Sequence, residues 1–487
     1  MLQIVQYFSR TSPEIVEVPY PSESDNKIII KTSLSLISSG TEKMLIEFGK
    51  SNLIKKALDK PDKVKKAIEK SKTDGFISTY NSIKNKLDES INLGYSNVGI
   101  VEFVGKNVKG FSIGDRVLSN GPHSEYISVP QNLCALIPNE VSDEDAVFTV
   151  PCAIGLQGIR LSKPTLGETF LVSGLGLIGL LTAQLLQENG VEVLGIDPNP
   201  ERVKIAKKLG IKSLQLTDYN NPVSWCQNFT NGEGVDGVLV TAATDSNKPI
   251  EVAAKSCRKR GRIILVGVTG LNIDRELFYK KEISFQVSCS YGPGRYDKEY
   301  EENSHDYPIG FVRWTLERNF KSILQILSKK RMQPNKFITH RFFIKDALEA
   351  YKILVNDNNH LGILITYPQQ KNIERTIKFN NHLPKINKEI DNKNVVSFIG
   401  AGNYSKKVLI PSFKKTGVIL DKIVSKEGLG PTEIAKKFKF NYASTNLKEI
   451  LDNDDAGSIV ITTRHDSHSE LIIECLSKNK NVFVEKP

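Results

Sequence analysis

The chain has 487 residues, of which 39% are hydrophobic and 25% charged, proportions typical of a globular protein too long for a single domain. It has no run of eighteen apolar residues and no N-terminal signal-peptide pattern, and its six scattered cysteines lack metal-binding spacing. We therefore expect a cytoplasmic protein with reduced thiols and no membrane span. The net charge is +11, but aromatic residues are not interspersed among the basic ones as they are in many nucleic-acid-binding proteins. We therefore expect no nucleic-acid partner, and the positive charge is better explained by attraction of anionic substrates.

The first part of the chain is predicted to be a β domain with a helical insertion. Residues 1–40 alternate apolar and polar side chains, as β-strands do. From about 42 to 90 the sequence is rich in lysine and has leucine and isoleucine at helical spacing. Pro61 and Gly75 interrupt this stretch, so two or three inserted helices are expected. Strands then resume, and we assign residues 1–150 to this domain.

A dinucleotide site is predicted in the next domain, residues 151–319, where helices and strands alternate as in a parallel sheet. A strand runs into a Gly-x-Gly-x-x-Gly turn, an apolar helix and a second strand that ends in an acid. The glycines allow a tight turn and close approach of the pyrophosphate, and the acid can bind the ribose hydroxyls and repel a 2′-phosphate. The predicted cofactor-binding residues are Gly174, Gly176, Gly179 and Asp197. The pattern favours NAD binding over a glycine-rich turn of some other α/β protein.

An unusual group of aromatic and basic side chains follows the predicted cofactor-binding region. Residues 291–314 contain four tyrosines, a tryptophan, a histidine and arginines, together with glycine and proline. Such a group is costly to bury and suits a polar, anionic or sugar-like ligand, and tyrosine and histidine can also act as acid or base. The candidate catalytic residues in it are Tyr291, Arg295, Tyr296, His305 and Arg313. A contact between subunits, or a loop packed on the β domain, would explain the same composition.

Three segments follow in the rest of the chain: a part that completes the first domain, a linker and a second glycine-rich turn. Residues 320–367 are expected to complete the β domain, and residues 368–393, rich in Asn, Lys and Pro, predict a linker. Residues 394–487 begin with a strand and a Gly-x-Gly turn. Their second strand ends at Ser425-Lys426 without an acid, so NAD or NADP is allowed there. The predicted cofactor-binding residues of this turn are Gly400, Gly402, Asn403, Tyr404 and Ser405.

Residues 1 to about 367 resemble the medium-chain dehydrogenase/reductase superfamily, in which a GroES-like β domain is joined to a Rossmann domain. Zinc-dependent members have a Cys before Gly-Thr-Asp/Glu and a Gly-His-Glu further on. Where those members have the Cys, this chain has Ser39. Where they have Gly-His-Glu, it has Gly94-Tyr95-Ser96. Neither position supplies a usual zinc ligand. Cys152 lies near the remaining ligand position, but it is more simply explained as a small buried residue. The resemblance, with these departures, predicts a protein that holds no zinc or other metal.

A closer resemblance is to a bacterial two-module oxidoreductase family, often encoded with genes for cell-surface polysaccharides. The matching strings are Gly40–Lys50, followed by Pro61–Val64 and Lys72–Gly75, then Ala153–Arg160, Tyr291–Asp297 and His305–Thr315. The string Val482–Pro487 resembles the inositol-dehydrogenase-like family. The resemblance implies an α/β fold: a GroES-like β domain, a doubly wound Rossmann domain, a linker and a second, incomplete Rossmann domain of the Gfo/Idh/MocA type. In that type the Lys of Glu-Lys-Pro, here Lys486, lies beside nicotinamide and substrate.

The same resemblance implies a function. We expect NAD(P)-linked hydride transfer to or from a sugar or sugar-nucleotide substrate, with NAD in the first module and NAD or NADP in the second. A homo-oligomer, or a partner chain that completes the second module, is also expected. The alternative is a nucleotide-sensing or scaffolding subunit that binds cofactor without turnover.

Overall fold

The computed structural model describes residues 1–50, 90–357, 359–368, 373–379, 394–452 and 457–486. These residues form four sheets, and elements are numbered along them below. Of the predicted helical insertion, residues 51–89 lie outside the described residues, whereas helix α1 (Thr41–Lys50) lies within them. Across the described ranges, no helix is both long and apolar enough to cross a membrane.

The N-terminal β region contains a three-stranded and a seven-stranded sheet. Its strands are β1 (Leu2–Tyr7), β2 (Glu14–Glu17), β3 (Lys27–Ile37), β4 (Ser90–Asn92), β5 (Asn97–Val104), β6 (Arg116–Ser119), β7 (Tyr126–Pro130) and β8 (Cys134–Leu136), with β15 (Ile338–Phe343) and β16 (Gly362–Thr366) from later in the chain. The strand orders are β2-β1-β4 and β15-β16-β3-β5-β6-β8, and β7 also pairs with β3. Because β16 pairs antiparallel with β3, the chain after residue 320 returns to this sheet.

The first parallel sheet has the order β11-β10-β9-β12-β13-β14. Its strands are β9 (Thr169–Ser173), β10 (Glu192–Asp197), β11 (Lys212–Gln215), β12 (Val235–Val240), β13 (Cys257–Leu265) and β14 (Ser284–Val287). Strands β9 and β12 are almost entirely buried, as expected where helices cover both faces of a sheet. The strand order reverses between β9 and β12, and such a reversal is where open α/β sheets bind dinucleotides, at the carboxyl ends of the strands.

Besides α1, the described α-helices of the first module run from residue 143 onward. They are α2 (Asp143–Ala146), α3 (Thr149–Ser162), α4 (Leu177–Glu188), α5 (Pro200–Lys208), α6 (Pro222–Phe229), α7 (Lys248–Ser256), α8 (Arg275–Tyr279), α9 (Lys298–Glu301), α10 (Leu316–Ser328) and α11 (Ala347–Asn356). Helix α3 links the β region to the parallel sheet and packs against α4, with Gly155 lying directly against Thr182.

The second module, our name for the described part of residues 373–486, is built on a sheet of order β17-β20-β19-β18-β21-β22. Its strands are β17 (Thr376–Lys378), β18 (Val395–Ile399), β19 (Ile419–Val424), β20 (Tyr442–Ser444), β21 (Ser458–Ile461) and β22 (Asn481–Val484). A π-turn at Ser405–Leu409 leads into α12 (Ile410–Lys415), followed by α13 (Leu429–Phe438), α14 (Lys448–Leu451) and α15 (His468–Ser477).

The predicted linker over 368–393 is wrong in part. Strand β17 lies inside that segment and pairs antiparallel with β20, so it forms the edge of the second module's sheet. A three-residue strand shows too little alternation to stand out among lysines and asparagines, and its partner strand lies more than sixty residues further along the chain.

The second module packs on the N-terminal β region. The Tyr20 amide donates to the Glu374 carbonyl at 2.8 Å, and the Thr445 hydroxyl donates to the Tyr20 carbonyl. The Ser22 amide donates to the Lys426 carbonyl at 3.0 Å. Main-chain groups on both sides therefore hold the two modules together.

Gly428 at the start of α13 is expected to be essential for this packing. A Cβ atom at Gly428 would collide with the Pro19 carbonyl oxygen, so Gly428→Ala should loosen the junction. The expected result is faster hydrogen exchange of the Tyr20 amide, measured by mass spectrometry. Gly430→Ala is the matched control, because a Cβ there meets only Ala401 at an ordinary 3.4 Å. Equal exchange rates in the two variants would contradict the prediction.

Candidate functional site

The first glycine-rich turn, between β9 and α4, has the geometry of a dinucleotide-binding turn. Gly174 has φ +102, and a Cβ atom there would lie 2.7 Å from the Ala242 amide nitrogen. A Cβ atom at Gly179 would collide with the Gly174 carbonyl, so both positions require glycine. Gly176 caps the helix in extended backbone geometry, and the nearest atom to a Cβ there is an Arg202 nitrogen at 3.9 Å. The open space at Gly176 is where the pyrophosphate of a dinucleotide would approach the helix N-terminus.

Asp197 ends β10 beside this turn. Its side chain is 2% exposed, and its two carboxylate oxygens accept hydrogen bonds from the Leu175 amide at 2.7 Å and the Asn199 amide at 2.8 Å. Each oxygen retains a second lone pair for a ribose hydroxyl. Arg202 lies 3.9 Å from the same carboxylate and borders the space at Gly176. Sequence reasoning missed Arg202, although a basic residue five positions after the acid was a readable signal.

The second glycine-rich turn follows β18 and has a similar form. Gly400 has φ +111, and a Cβ atom there would lie 2.7 Å from the Thr462 carbonyl carbon. Gly402 has open space, with the nearest atom 4.0 Å from a Cβ. The predicted residues after it differ in burial: Asn403 and Tyr404 are exposed, and Ser405 is buried. Lys486 is exposed just beyond the carboxyl end of β22, on the same edge of the sheet as this turn.

A buried polar cluster, which sequence reasoning did not predict, lies in the β region at the start of α1. Glu42 accepts hydrogen bonds from the Ser38 amide at 2.8 Å and the Tyr351 hydroxyl at 2.6 Å, and lies 3.3 Å from His123 Nε2. Ser35 Oγ is 2.6 Å from His123 Nδ1. Glu42 and His123 are at most 1% exposed, so each group depends on the others to satisfy its polar atoms.

This buried cluster connects to the surface through Tyr95. The Tyr95 hydroxyl donates to Ser38 Oγ at 2.7 Å and also bonds with the side chain of Thr41, which is exposed. Burial raises the pKa of Tyr95 to about 12, so at neutral pH its hydroxyl keeps its proton. Tyr95 and Thr41 therefore present hydroxyl groups at the rim of the buried cluster.

One segment of the chain, from Tyr351 in α11 to His360, contacts both the Glu42 cluster and the dinucleotide site. Burial lowers the pKa of His360, a hydrogen bond with the Asp357 backbone and the Asp357 charge oppose this change, and the positive charges of Lys43 and Arg202 add to it. Lys43 follows Glu42 in α1, and Arg202 borders the dinucleotide turn. The Tyr351 hydroxyl donates to Glu42 at 2.6 Å, and the side-chain amide of Asn199 donates to Asn359 at 3.3 Å.

The predicted aromatic and basic group is only partly brought together. The Tyr291 hydroxyl and the Arg295 guanidinium both donate to Glu301, the latter at 2.6 Å. Burial and the Glu301 carboxylate raise the pKa of Tyr291, so its hydroxyl keeps its proton at neutral pH and is a weak acid. Tyr296 is 76% exposed, and His305 is exposed and lies 2.6 Å from Glu299. The catalytic roles of these residues stay predictions.

Arg313 has a different environment from the rest of the predicted group. Its guanidinium carbon lies 4.0 Å from the centre of the Trp314 ring, and that of Arg160, in α3, lies 3.5 Å from the same ring. Arg160 belongs to a string quoted above for its resemblance, but sequence reasoning gave it no role.

Two parts of the chain match known families. Residues 178–304 match the family described as zinc-binding dehydrogenase, and residues 395–487 match the oxidoreductase family with an NAD-binding Rossmann fold. The chain is a two-module NAD(P)-dependent oxidoreductase. Its first module is of the medium-chain dehydrogenase type and its second of the Gfo/Idh/MocA type, as the sequence predicts.

Relatives of the medium-chain module are dehydrogenases. The oxidoreductase is 24% identical to D-arabitol-phosphate dehydrogenase of Enterococcus avium over 57% of this chain and 82% of the relative. It is also 24% identical to a sorbitol dehydrogenase of Halalkalibacterium halodurans, over 57% of this chain and 83% of the relative. Among solved structures, alcohol dehydrogenase TADH from Thermus sp. ATN1 aligns with a TM-score of 0.58 and 19% identity, covering 76% of this chain and 100% of that one. The predicted fold class is confirmed.

The comparisons contradict our expectation that the oxidoreductase holds no zinc. The matched family is a zinc-binding one, and a zinc-dependent alcohol dehydrogenase of Streptococcus pneumonia aligns with a TM-score of 0.58 and 17% identity, covering 76% of this chain and 100% of that one. The expectation is wrong because it rested on ligand types at motif positions, whereas metal ligands are defined by proximity in space. Outside residues 51–89 and the shorter gaps, no group of three or more His, Cys, Asp or Glu could hold a metal, so the described residues alone do not form a zinc site.

Proposed function

We propose that the medium-chain module transfers a hydride between NAD and an alcohol or ketone carbon of a sugar or sugar nucleotide. The observation that carries this proposal is that one segment contacts both sites: the Tyr351 hydroxyl donates to Glu42, and Asn359 accepts a hydrogen bond from Asn199 beside Asp197. A cofactor turn and a set of hydroxyl groups that are joined by this segment suit oxidation of an alcohol. The names of two relatives, a sorbitol dehydrogenase and D-arabitol-phosphate dehydrogenase, support a polyhydroxy substrate.

The proposed chemistry needs a route for one proton. When the alcohol is oxidised, its C–H hydrogen leaves as hydride to NAD⁺ and its O–H hydrogen leaves as a proton, giving ketone, NADH and H⁺. Thr41 is exposed and bonds with Tyr95, which donates to Ser38, so the substrate hydroxyl can hydrogen-bond to the first of three linked hydroxyl groups. In this proposal Tyr95 and Thr41 orient the substrate hydroxyl and relay its proton, which water beside the exposed Thr41 finally accepts.

We also propose that the second module binds NAD or NADP at Gly400–Ser405. Its β19 is followed by Ser425 and Lys426 in place of the acid that repels a 2′-phosphate in NAD-specific sites. The open space at Gly402 would admit the pyrophosphate as Gly176 does in the first module.

The test of the proposed function is turnover by the whole chain. NADH formation is followed at 340 nm with polyols, sugar phosphates and UDP-, GDP- and CDP-sugars, with zinc supplied in the buffer. Tyr95→Phe is expected to lower kcat about 100-fold or more with a small change in KM, because the proton relay is broken while binding contacts remain.

Tyr219→Phe is the control for that variant, since Tyr219 is 100% exposed. Unchanged kcat in Tyr95→Phe would overturn the relay. NADH binding without turnover of any substrate in the panel would overturn the proposed enzyme and favour a nucleotide-sensing subunit.

A further inference from the structure

Two arginines of the medium-chain module, Arg160 and Arg313, have no acidic partner among the described residues. Arg295 pairs with Glu301 and Arg318 pairs with Asp306, so these two arginines are neutralised within the protein. The guanidinium groups of Arg160 and Arg313 instead lie over the Trp314 ring, and no acidic side chain in the described ranges forms an ion pair with either. Their arrangement brings two positive charges to one aromatic side chain.

Two features of this arrangement favour a bound anion. Burial and the nearby positive charge of Arg313 together lower the pKa of Arg160 to about 10. Arg160 Nε is buried, and no described atom accepts its hydrogen bond. A buried donor without an acceptor costs free energy, and two close cations repel each other, so a bound dianion would relieve both terms. Guanidinium groups match the geometry of phosphate oxygens particularly well.

The position of the two arginines suits the far end of an elongated substrate. Helix α3 begins at Thr149, next to Val147, whose carbonyl accepts a hydrogen bond from Ser96 beside Tyr95. Arg160 lies about 16 Å further along that helix, and side chains on a helix lean toward its N-terminus, which shortens the gap. A sugar carbon at Tyr95 and a phosphoryl group at Arg160 would therefore belong to one extended molecule.

We propose that Arg160 and Arg313 bind the phosphoryl group of a phosphorylated sugar substrate, with Trp314 as the wall of this subsite. The proposal rests on the proposed function, whose substrate class it narrows. The phosphoryl group can come from a sugar monophosphate or from the diphosphate of a sugar nucleotide. In a sugar nucleotide, the base or ribose would extend beyond Trp314, which is partly exposed.

Tryptophan fluorescence tests the proposal directly. The chain has two tryptophans, so Trp225→Phe leaves Trp314 as the single reporter in the full-length protein. This protein is titrated with inorganic pyrophosphate, sorbitol 6-phosphate and UDP-glucose, and with sorbitol as the unphosphorylated probe. We expect a saturable change with at least one phosphorylated probe and none with sorbitol. A response to sorbitol 6-phosphate alone assigns the monophosphate source, and tighter binding of UDP-glucose assigns the sugar nucleotide.

Arginine variants complete the test. Arg313→Gln and Arg160→Gln are expected to weaken binding of the responding probe about tenfold or more. Arg275→Gln is the matched control, because Arg275 also lies over an aromatic ring, that of Tyr279 at 4.5 Å, elsewhere in the module. Binding unchanged by both Arg160 and Arg313 substitutions, or no response to any phosphorylated probe, would overturn the subsite.

NADH affinity separates this subsite from the cofactor site. NADH titrated by its own fluorescence should bind Arg313→Gln and the parent equally well, and a matching loss of NADH affinity would assign the arginines to the cofactor and overturn the proposal. Phosphoryl binding that depends on both arginines but comes without turnover would uphold the subsite while the proposed hydride transfer fails.

Discussion

Gly176→Val is expected to abolish NADH binding by the medium-chain module while leaving its fold intact. Gly176 has extended backbone geometry that valine adopts without strain, and a Cβ atom there has no neighbour closer than 3.9 Å. The same open space is where the pyrophosphate would contact the helix N-terminus, so the valine methyl groups would occupy the position of the ligand. We expect a loss of affinity of about 100-fold or more, equivalent to roughly 2.7 kcal/mol.

The measurement is NADH fluorescence titration of the full chain, and Gly402→Val provides the matched control. Gly402 occupies the corresponding position of the second module, with its nearest neighbour at 4.0 Å, so this substitution should remove only binding that the second module contributes. The double variant should bind no NADH. An unchanged affinity in Gly176→Val would mean that the first turn does not hold the dinucleotide.

Glu42→Ala is expected to destabilise the medium-chain module by about 3–5 kcal/mol. The substitution would leave the Ser38 amide, the Tyr351 hydroxyl and His123 Nε2 buried without their shared partner. Each unsatisfied group costs about 1–3 kcal/mol, and the side chains are too buried for water to replace the carboxylate. Glu42→Gln keeps the size and one acceptor oxygen, so its loss should be smaller.

Urea unfolding followed by tryptophan fluorescence checks this prediction, because both tryptophans, Trp225 and Trp314, lie in the medium-chain module. Glu47→Ala on the same helix is the control, since Glu47 is exposed and its removal should change the free energy of unfolding by less than about 0.5 kcal/mol. Equal unfolding midpoints for the Glu42 and Glu47 variants would contradict the assignment of Glu42 as the centre of the cluster.

The two dinucleotide turns could be predicted from the sequence because their signals are local. Gly174, Gly179 and Asp197 fall within one strand–helix–strand unit, where backbone geometry dictates residue type. The Glu42 cluster could not be predicted in this way. Its members His123 and Tyr351 are 81 and 309 positions from Glu42 along the chain. The pairing of β16 with β3 brings the segment that contains Tyr351 back to α1.

The same contrast explains the aromatic and basic group. Its composition correctly marked an unusual segment, but composition does not say which charges are neutralised within the protein. Tyr291 and Arg295 share Glu301, whereas the partner of Arg313 is an aromatic ring that Arg160 also contacts from a helix more than 150 positions earlier. An arginine paired with a carboxylate stabilises the protein, whereas an arginine without an acidic partner is available to a ligand. The local sequence does not show which of the two cases applies.

The junction at Tyr20 links the stabilities of the two modules thermodynamically. Because Tyr20 contributes both its amide and its carbonyl to groups beyond residue 370, unfolding of the β region also removes the docking contacts of the second module. A dinucleotide that binds the folded second module will therefore protect the β region from heat as well. The melting temperature of the chain thus responds to both cofactor sites together, and saturating one site raises the thermal resistance of the other.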